Sequence, residues 1–273
     1  MPELIYLIPI LFIAGLAGGY LSGLLGIGGG MIYVFILTIL FKENYQLGNE
    51  IGHFVIANSL FVIFLSTLVS TLRLREKKLF YPKEVLKIGI PSLFTSLAIT
   101  YFLVNTPMFS PLVFDSITLI VLIYILLATL LKLNKGDDST LPDAISTTTY
   151  FLSGISAGIL SAITGLGGGT ILNPILNGKF NLKMTVSRSI SLGVIMVSSF
   201  SISVLNLVLT PKASLPYSIG YIQLPYCVVL GIGAMLSCKY GVQMGNKLSA
   251  PKLLVLFSIF VALLIIKKIG EIY

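Results

Sequence analysis

The sequence predicts an all-α polytopic membrane protein of two homologous repeats, each with one glycine-broken segment plus three transmembrane helices. Three observations predict it. Of 273 residues, 56% are hydrophobic and 10% charged, with a mean hydropathy of +0.99; a soluble domain carries about a quarter charged residues. The apolar residues fall in blocks of about twenty, the length that crosses a hydrocarbon core roughly 30 Å thick. Finally, "GLAGGYLSGLLGIGGGMIYVFIL" (Gly15 to Leu37) recurs without gaps as "GISAGILSAITGLGGGTILNPIL" (Gly154 to Leu176). About half the positions are identical, Ser22 with Ser161 and Gly26 with Gly165 among them.

The first apolar block, Leu4 to Leu25, has no basic residues ahead of it, so it is expected to stay as a helix and not to be cleaved as a signal peptide. A glycine cluster and a short apolar piece, Met31 to Phe41, come next. Further blocks cover His53 to Leu72, Lys83 to Val104 and Pro111 to Leu131. The long hydrophilic stretch "KLNKGDDSTLPDAIST" (Lys132 to Thr147) is the expected linker between repeat 1 (1–131) and repeat 2 (148–273). Repeat 2 opens with Thr148 to Thr164, breaks at its own glycine cluster and resumes as Thr170 to Leu176. It continues through Val186 to Leu209, Gly220 to Tyr240 and Pro251 to Ile266. "ANSLFVI" (Ala57 to Ile63) matches "SISLGVI" (Ser189 to Ile195) more weakly.

The net charge of +8 does not point to nucleic acid, because the basic residues sit at block ends and form no stripe. They read instead as orientation signals and contacts to anionic lipid. The densest cluster, Arg73, Arg75, Lys77, Lys78, Lys83 and Lys87, belongs in the cytoplasm. If each broken segment crosses once, the repeats are parallel and Lys179, Lys183, Arg188, Lys239, Lys247 and Lys252 fall outside. If each dips in and returns, the repeats are inverted and these six join the cytoplasmic cluster. The charge rule favours inversion, although Leu4 to Leu25 is long enough to span alone.

Cys227 and Cys238 lie on one predicted helix, roughly 16 Å apart at 1.5 Å per residue, too far for a disulfide. Both are expected as buried free thiols.

Glycine costs a helix roughly 1 kcal/mol relative to alanine, so two clusters need a reason. A helix breaks at membrane depth only where its freed backbone is buried in protein or lines a cavity. Glycine supplies positive φ and close approach, and a helix starting after the break turns its positive N-terminal end towards it. Paired broken helices in two repeats mark the midplane site of a transporter. Gly15, Gly19 and Gly23, spaced by four, read as helix-packing positions. Gly26, Gly28, Gly29 and Gly30, with Gly165, Gly167, Gly168 and Gly169, read as the breaks. Neither cluster continues into the Gly-Lys-Ser/Thr of a nucleotide-cradling loop.

The duplicated G-x-G-G-G break opening into a short apolar helix resembles the TauE/SafE family, the sulfite and organosulfur-anion exporters grouped with toluene-sulfonate uptake permeases. The resemblance covers nearly the whole chain. It implies small, often sulfur-containing anions as cargo. In that family the motif runs on to a proline. The second copy has it, "GGGTILNP" ending at Pro174, whereas the first has Phe35, so the first half-helix is expected to be positioned differently and the two halves not to share symmetrical roles.

All ten acidic residues lie in loops or at block ends, which argues against a cation pump or a carboxylate proton relay and leaves anions as cargo. Arg188 at the start of its block offers a planar fork for an oxyanion, with Ser189 beside it as a further candidate binding residue; the alternative role of Arg188 is an interfacial cation that snorkels to water. Ser22, Asn58, Ser59, Ser161, Thr170 and Asn173 are the candidate polar lining of the breaks, with interhelical hydrogen bonding as their alternative. His53, the lone histidine, reads as an interfacial cap or a proton acceptor.

The function expected is a secondary transporter of small anions working by alternating access, with H+ or Na+ as candidate coupling ion, in the cell membrane of a prokaryote. An anion channel is the alternative within transport. An intramembrane enzyme lacks a metal-type cluster or a Ser-His-Asp set, and an assembly role explains the breaks poorly. No cofactor and no nucleic-acid partner are expected.

Overall fold

The computed structural model describes residues 2–106, 110–133, 145–213 and 215–248, and positions 251–252, 255, 258–259 and 261–266 beyond them. Its elements are α1 (Pro2–Leu25), α2 (Gly30–Asn44), α3 (Ile51–Glu76, entered through one 3-10 turn at Gly48–Glu50), α4 (Pro82–Asn105) and α5 (Pro111–Leu133). Then come α6 (Thr147–Thr164), α7 (Gly169–Asn173, running into a π-helical turn at Pro174–Lys179), α8 (Met184–Val208) and α9 (Leu224–Gly245). Two short antiparallel strands, β1 (Ser218–Ile219) and β2 (Ile222–Gln223), lie between α8 and α9. The linker expected at Lys132 to Thr147 falls largely on residues 134–144, outside those described, and the described positions of the last block are helical.

Among the described residues six helices are long and apolar enough to cross a membrane: α1, α3, α4, α5, α8 and α9. Large apolar side chains stand on their outer faces, such as Phe94 (67% exposed), Leu131 (70%) and Val208 (77%). Water would penalise such a surface, and lipid does not. This is a multi-pass α-helical membrane protein.

Small residues decide which helices touch. A Cβ built on Gly15, Gly19 or Gly23 would lie 2.4, 2.3 or 2.1 Å from the carbonyl oxygens of Leu230, Ala234 and Cys238. The packing stripe predicted on α1 therefore seats α9 at backbone contact, and both helices advance in the same direction. The corresponding positions of α6 do the same to α4, with Gly154 against the Ile88 carbonyl and Gly158 against that of Ser92. Cys227 and Cys238 are buried free thiols on α9, as expected.

α3 and α8 cross the centre in opposite directions. Glu50, just before α3, reaches the backbone of Lys212 and Ala213 beyond the end of α8, while Ser189 near the start of α8 reaches Leu79 beyond the end of α3. The chain turns back at the first break: a Cβ on Gly29 would lie 2.3 Å from the carbonyl oxygen of Gly18, a residue α1 has already passed. α2 then ends near the start of α5, where Lys42 pairs with Asp115 at 3.2 Å. So the α1–α2 hairpin opens towards the end that holds Glu50. The α6–α7 hairpin opens towards the opposite end, where α8 starts.

Candidate functional site

The two breaks are built alike and meet in the middle. Each begins with a left-handed glycine closing a helix: Gly26 donates to the Ser22 carbonyl (2.8 Å, φ +72°) and Gly165 to that of Ser161 (3.0 Å, φ +67°). The next matching pair also agrees, Gly28 at φ +83° and Gly167 at +84°. A residue with a Cβ in that region costs roughly 1–2 kcal/mol. The third pair diverges, Gly29 at φ +76° and Gly168 at −62°. A Cβ on Gly30 would sit 2.4 Å from the Leu166 carbonyl oxygen, and one on Gly169 2.7 Å from that of Gly26. Each break is thus in contact with the backbone of the other.

Beyond the breaks the two half-helices are unequal, and the missing proline is the reason. Phe35 keeps an amide hydrogen and α2 runs on to Asn44. Pro174 has none, so α7 stops at Asn173 and the chain continues in wider π turns, with Phe180 donating to the Ile175 carbonyl at 3.1 Å.

Backbone groups freed at a buried break need partners. Asn173 donates to the carbonyls of Leu25 (2.7 Å) and Gly26 (3.1 Å), and its own oxygen accepts from Ser191 at 2.8 Å. Ser59 donates to the Gly165 carbonyl at 2.8 Å, and Thr170 to that of Gly167 at 3.0 Å. Ser22 lies 3.5 Å from Ser66. These four carbonyls are therefore served. The amide side is not: among the described residues no acceptor serves the buried N–H groups of Ile27, Gly28, Gly29, Gly30 and Met31, or of Gly167, Gly168 and Gly169. The Ser161 hydroxyl, also fully buried, has no partner either.

Arg188 lies beside the first break and is fully buried, so it does not snorkel to water. Its guanidinium donates to the Leu24 carbonyl at 3.0 Å and to the Asn246 side-chain oxygen, and its Nε has no partner. Gly26 and Gly245 make room for it, since a Cβ on Gly26 would meet Arg188 Cγ at 2.2 Å. The ion pairs among the described residues are Lys42–Asp115 and Arg73–Glu76. Arg188 is thus a buried cation without a carboxylate partner among the described residues.

Two of the predicted binding residues point elsewhere. Asn58 holds the loop before α9: its amide donates to the Phe54 and Tyr221 carbonyls, and its oxygen accepts from Gln223 N and the Cys227 thiol. Ser189 is turned to the Leu79 carbonyl. His53 packs edge-on to the Tyr221 ring near Glu50. Ser191 and Asn246 join the site without being singled out by the sequence. Ser191 stands in the matched "SISLGVI" stretch, but nothing in the sequence around Asn246 announces its contact.

Glu50 has the sequence setting of a loop residue, yet it clasps the segment after α8. Its oxygens accept from Lys212 N (3.1 Å), Ala213 N (2.6 Å) and the Tyr221 hydroxyl (2.8 Å). Burial and the Glu50 carboxylate together push the Tyr221 hydroxyl well above the usual phenol range. Glu50→Ala is expected to speed amide hydrogen exchange at Lys212 and Ala213 roughly tenfold or more, the equivalent of one charge-assisted hydrogen bond of ~1.5 kcal/mol. Unchanged exchange there would mean the segment is held by other contacts.

A bundle of membrane-spanning helices whose broken segments meet at its centre defines a membrane transporter. The chain belongs to the TauE/SafE family: the family model described as "Sulfite exporter TauE/SafE" matches residues 11–268. It is similar to a probable membrane transporter protein of Methanocaldococcus jannaschii, 31% identical over 260 residues that cover 94% of this chain and 93% of the relative. A probable membrane transporter protein of Haemophilus influenzae is 26% identical (91% and 92% covered), and one of Bacillus subtilis 26% identical (93% and 94%).

Proposed function

We propose that this transporter moves small anions, sulfur-containing oxyanions or organosulfonates, by alternating access around the two glycine breaks. The observation that carries the reading is the cluster of buried amides with no acceptor among the described residues where the breaks meet, beside a buried arginine with no carboxylate among those residues. Free amides and an uncompensated guanidinium share one natural partner, an oxyanion. The Ser161 hydroxyl adds a further donor.

The repeats in this reading are inverted. Two observations support that: the hairpins open towards opposite ends, and α1 runs beside α9 as α6 runs beside α4. It also gathers Arg73, Lys179, Lys183, Arg188, Lys239 and Lys247 on one side, the cytoplasmic one of a cell membrane. The breaks are in backbone contact with each other, which suits a closed step of an alternating cycle better than an open channel pore. H+ or Na+ is the candidate coupling ion.

The experiment is flux in proteoliposomes. Saturable uptake of sulfite or a small sulfonate, accelerated by the same anion on the far side, is expected. Unitary currents in place of saturable exchange would assign a channel, and absence of any anion flux would overturn the reading.

A further inference from the structure

Amides and a guanidinium recognise a sulfonate head whatever is attached to it. Discrimination by the attached group has to come from the side chains packed against those amides, and here these are two isoleucines. Ile63 stands at mid-length of α3 and Ile195 at mid-length of α8, both fully buried. They close the matched stretches "ANSLFVI" and "SISLGVI". A Cβ built on Gly28 would meet Ile63 Cγ2 at 3.0 Å and Ile195 Cγ2 at 3.3 Å, and one on Gly30 would meet Ile63 Cδ1 at 2.7 Å. On the other break, a Cβ on Gly169 would meet Ile195 Cδ1 at 2.3 Å, and one on Gly167 would meet Ile195 Cγ2 at 3.5 Å and Ile63 Cδ1 at 3.6 Å. Each isoleucine therefore touches both breaks, and the pair covers four glycines whose amides have no acceptor among the described residues.

We propose that Ile63 and Ile195 are the specificity-determining residues of this transporter, a paired apolar wall that sets how large an organic group is accepted beside the anionic head. This rests on the breaks being the anion site. The wall is stiff as well as apolar, because a β-branched side chain in a helix is held close to one χ1 rotamer. Any group entering beside the glycines has to take up volume that these methyl groups now fill. One methyl more or less in such a pocket changes discrimination by about 10- to 200-fold.

The test is transport by the full chain in proteoliposomes with matched series of alkyl sulfonates and alkyl carboxylates, methyl to butyl. Wild type is compared with Ile63→Val, Ile195→Val and the double variant. The readout is the ratio of kcat/KM for the longest anion to that for the shortest. We expect this ratio to rise about tenfold in each single variant and further in the double one, while the volume-conserving Ile195→Leu moves it much less. A loss that is equal across the series, with the ratio unchanged, would make the pair ordinary core packing and overturn the inference alone. A wild type that moves sulfite but no member of either series overturns the inference alone; one that moves neither sulfite nor any member removes the anion site on which the inference stands, and the inference with it. Should the double variant fail to insert, the single Val variants, each lacking one methyl group, carry the comparison.

Discussion

Gly30→Ala and Gly169→Ala are each expected to cut anion flux more than tenfold at an unchanged level in the membrane, although alanine is the better helix former. Both positions have ordinary helical backbone and start α2 and α7. Local propensity therefore favours the change by up to about 1 kcal/mol. Tertiary contact opposes it more strongly. At Gly30 the new methyl would stand 2.4 Å from the Leu166 carbonyl oxygen, and at Gly169 2.7 Å from that of Gly26 and 2.3 Å from Ile195 Cδ1. Backbone cannot swing aside as a flexible side chain can, so relief requires the breaks to separate, at a cost of roughly 1–3 kcal/mol. Gly178→Ala is the control, because a Cβ there meets nothing within 4 Å. Flux by Gly30→Ala equal to that of Gly178→Ala would mean that the contact between the breaks has no part in transport.

This contact also shows where a sequence stops being informative. Composition and block length are properties of the chain alone, which is why Lys83 to Val104 and Pro111 to Leu131 fall within a few residues of α4 and α5. The duplicated glycines are legible because positive φ and close approach have almost one residue as their solution. Even the mismatch of Phe35 and Pro174 is readable, since only proline lacks the amide hydrogen. α9 starts later than the Gly220 that hydropathy suggests, because the strand pair Ile219–Ile222 carries the same apolar residues as a helix. Depth along a helix places Asn58 at the breaks, and nearness to Arg188 in sequence suggests Ser189, but neither says which way a side chain faces. Asn58 holds a turn more than 160 residues away in sequence. Block length reads the first segment as spanning and the charge rule reads it as returning; α1 runs beside α9 from Gly15 to Leu24, and the Gly29 backbone comes back against that of Gly18.

Arg188→Gln is expected to abolish anion flux while leaving thermal stability unchanged or higher, and the opposing signs make it informative. An arginine kept for structure loses stability and function together when replaced. This one is fully buried, holds the Leu24 carbonyl and the Asn246 side chain, and has no carboxylate among the described residues. Burying a cation costs several kcal/mol that only a close counter-charge offsets, and a glutamine amide still donates to one of the two acceptors. Removing the charge is therefore expected to relieve more than it breaks, and in the proposed reading an anion bound beside Gly26 would relieve the same strain in the wild type. Substrate should accordingly raise the melting temperature of the wild type in detergent, as any ligand of the native state does, and leave that of Arg188→Gln unmoved. Arg188→Lys keeps the charge but not the fork, and should retain a weakened substrate shift with KM raised more than kcat is lowered. A large drop in stability for Arg188→Gln, with the substrate shift preserved, would return this residue to a structural role and move the counter-charge for the anion elsewhere.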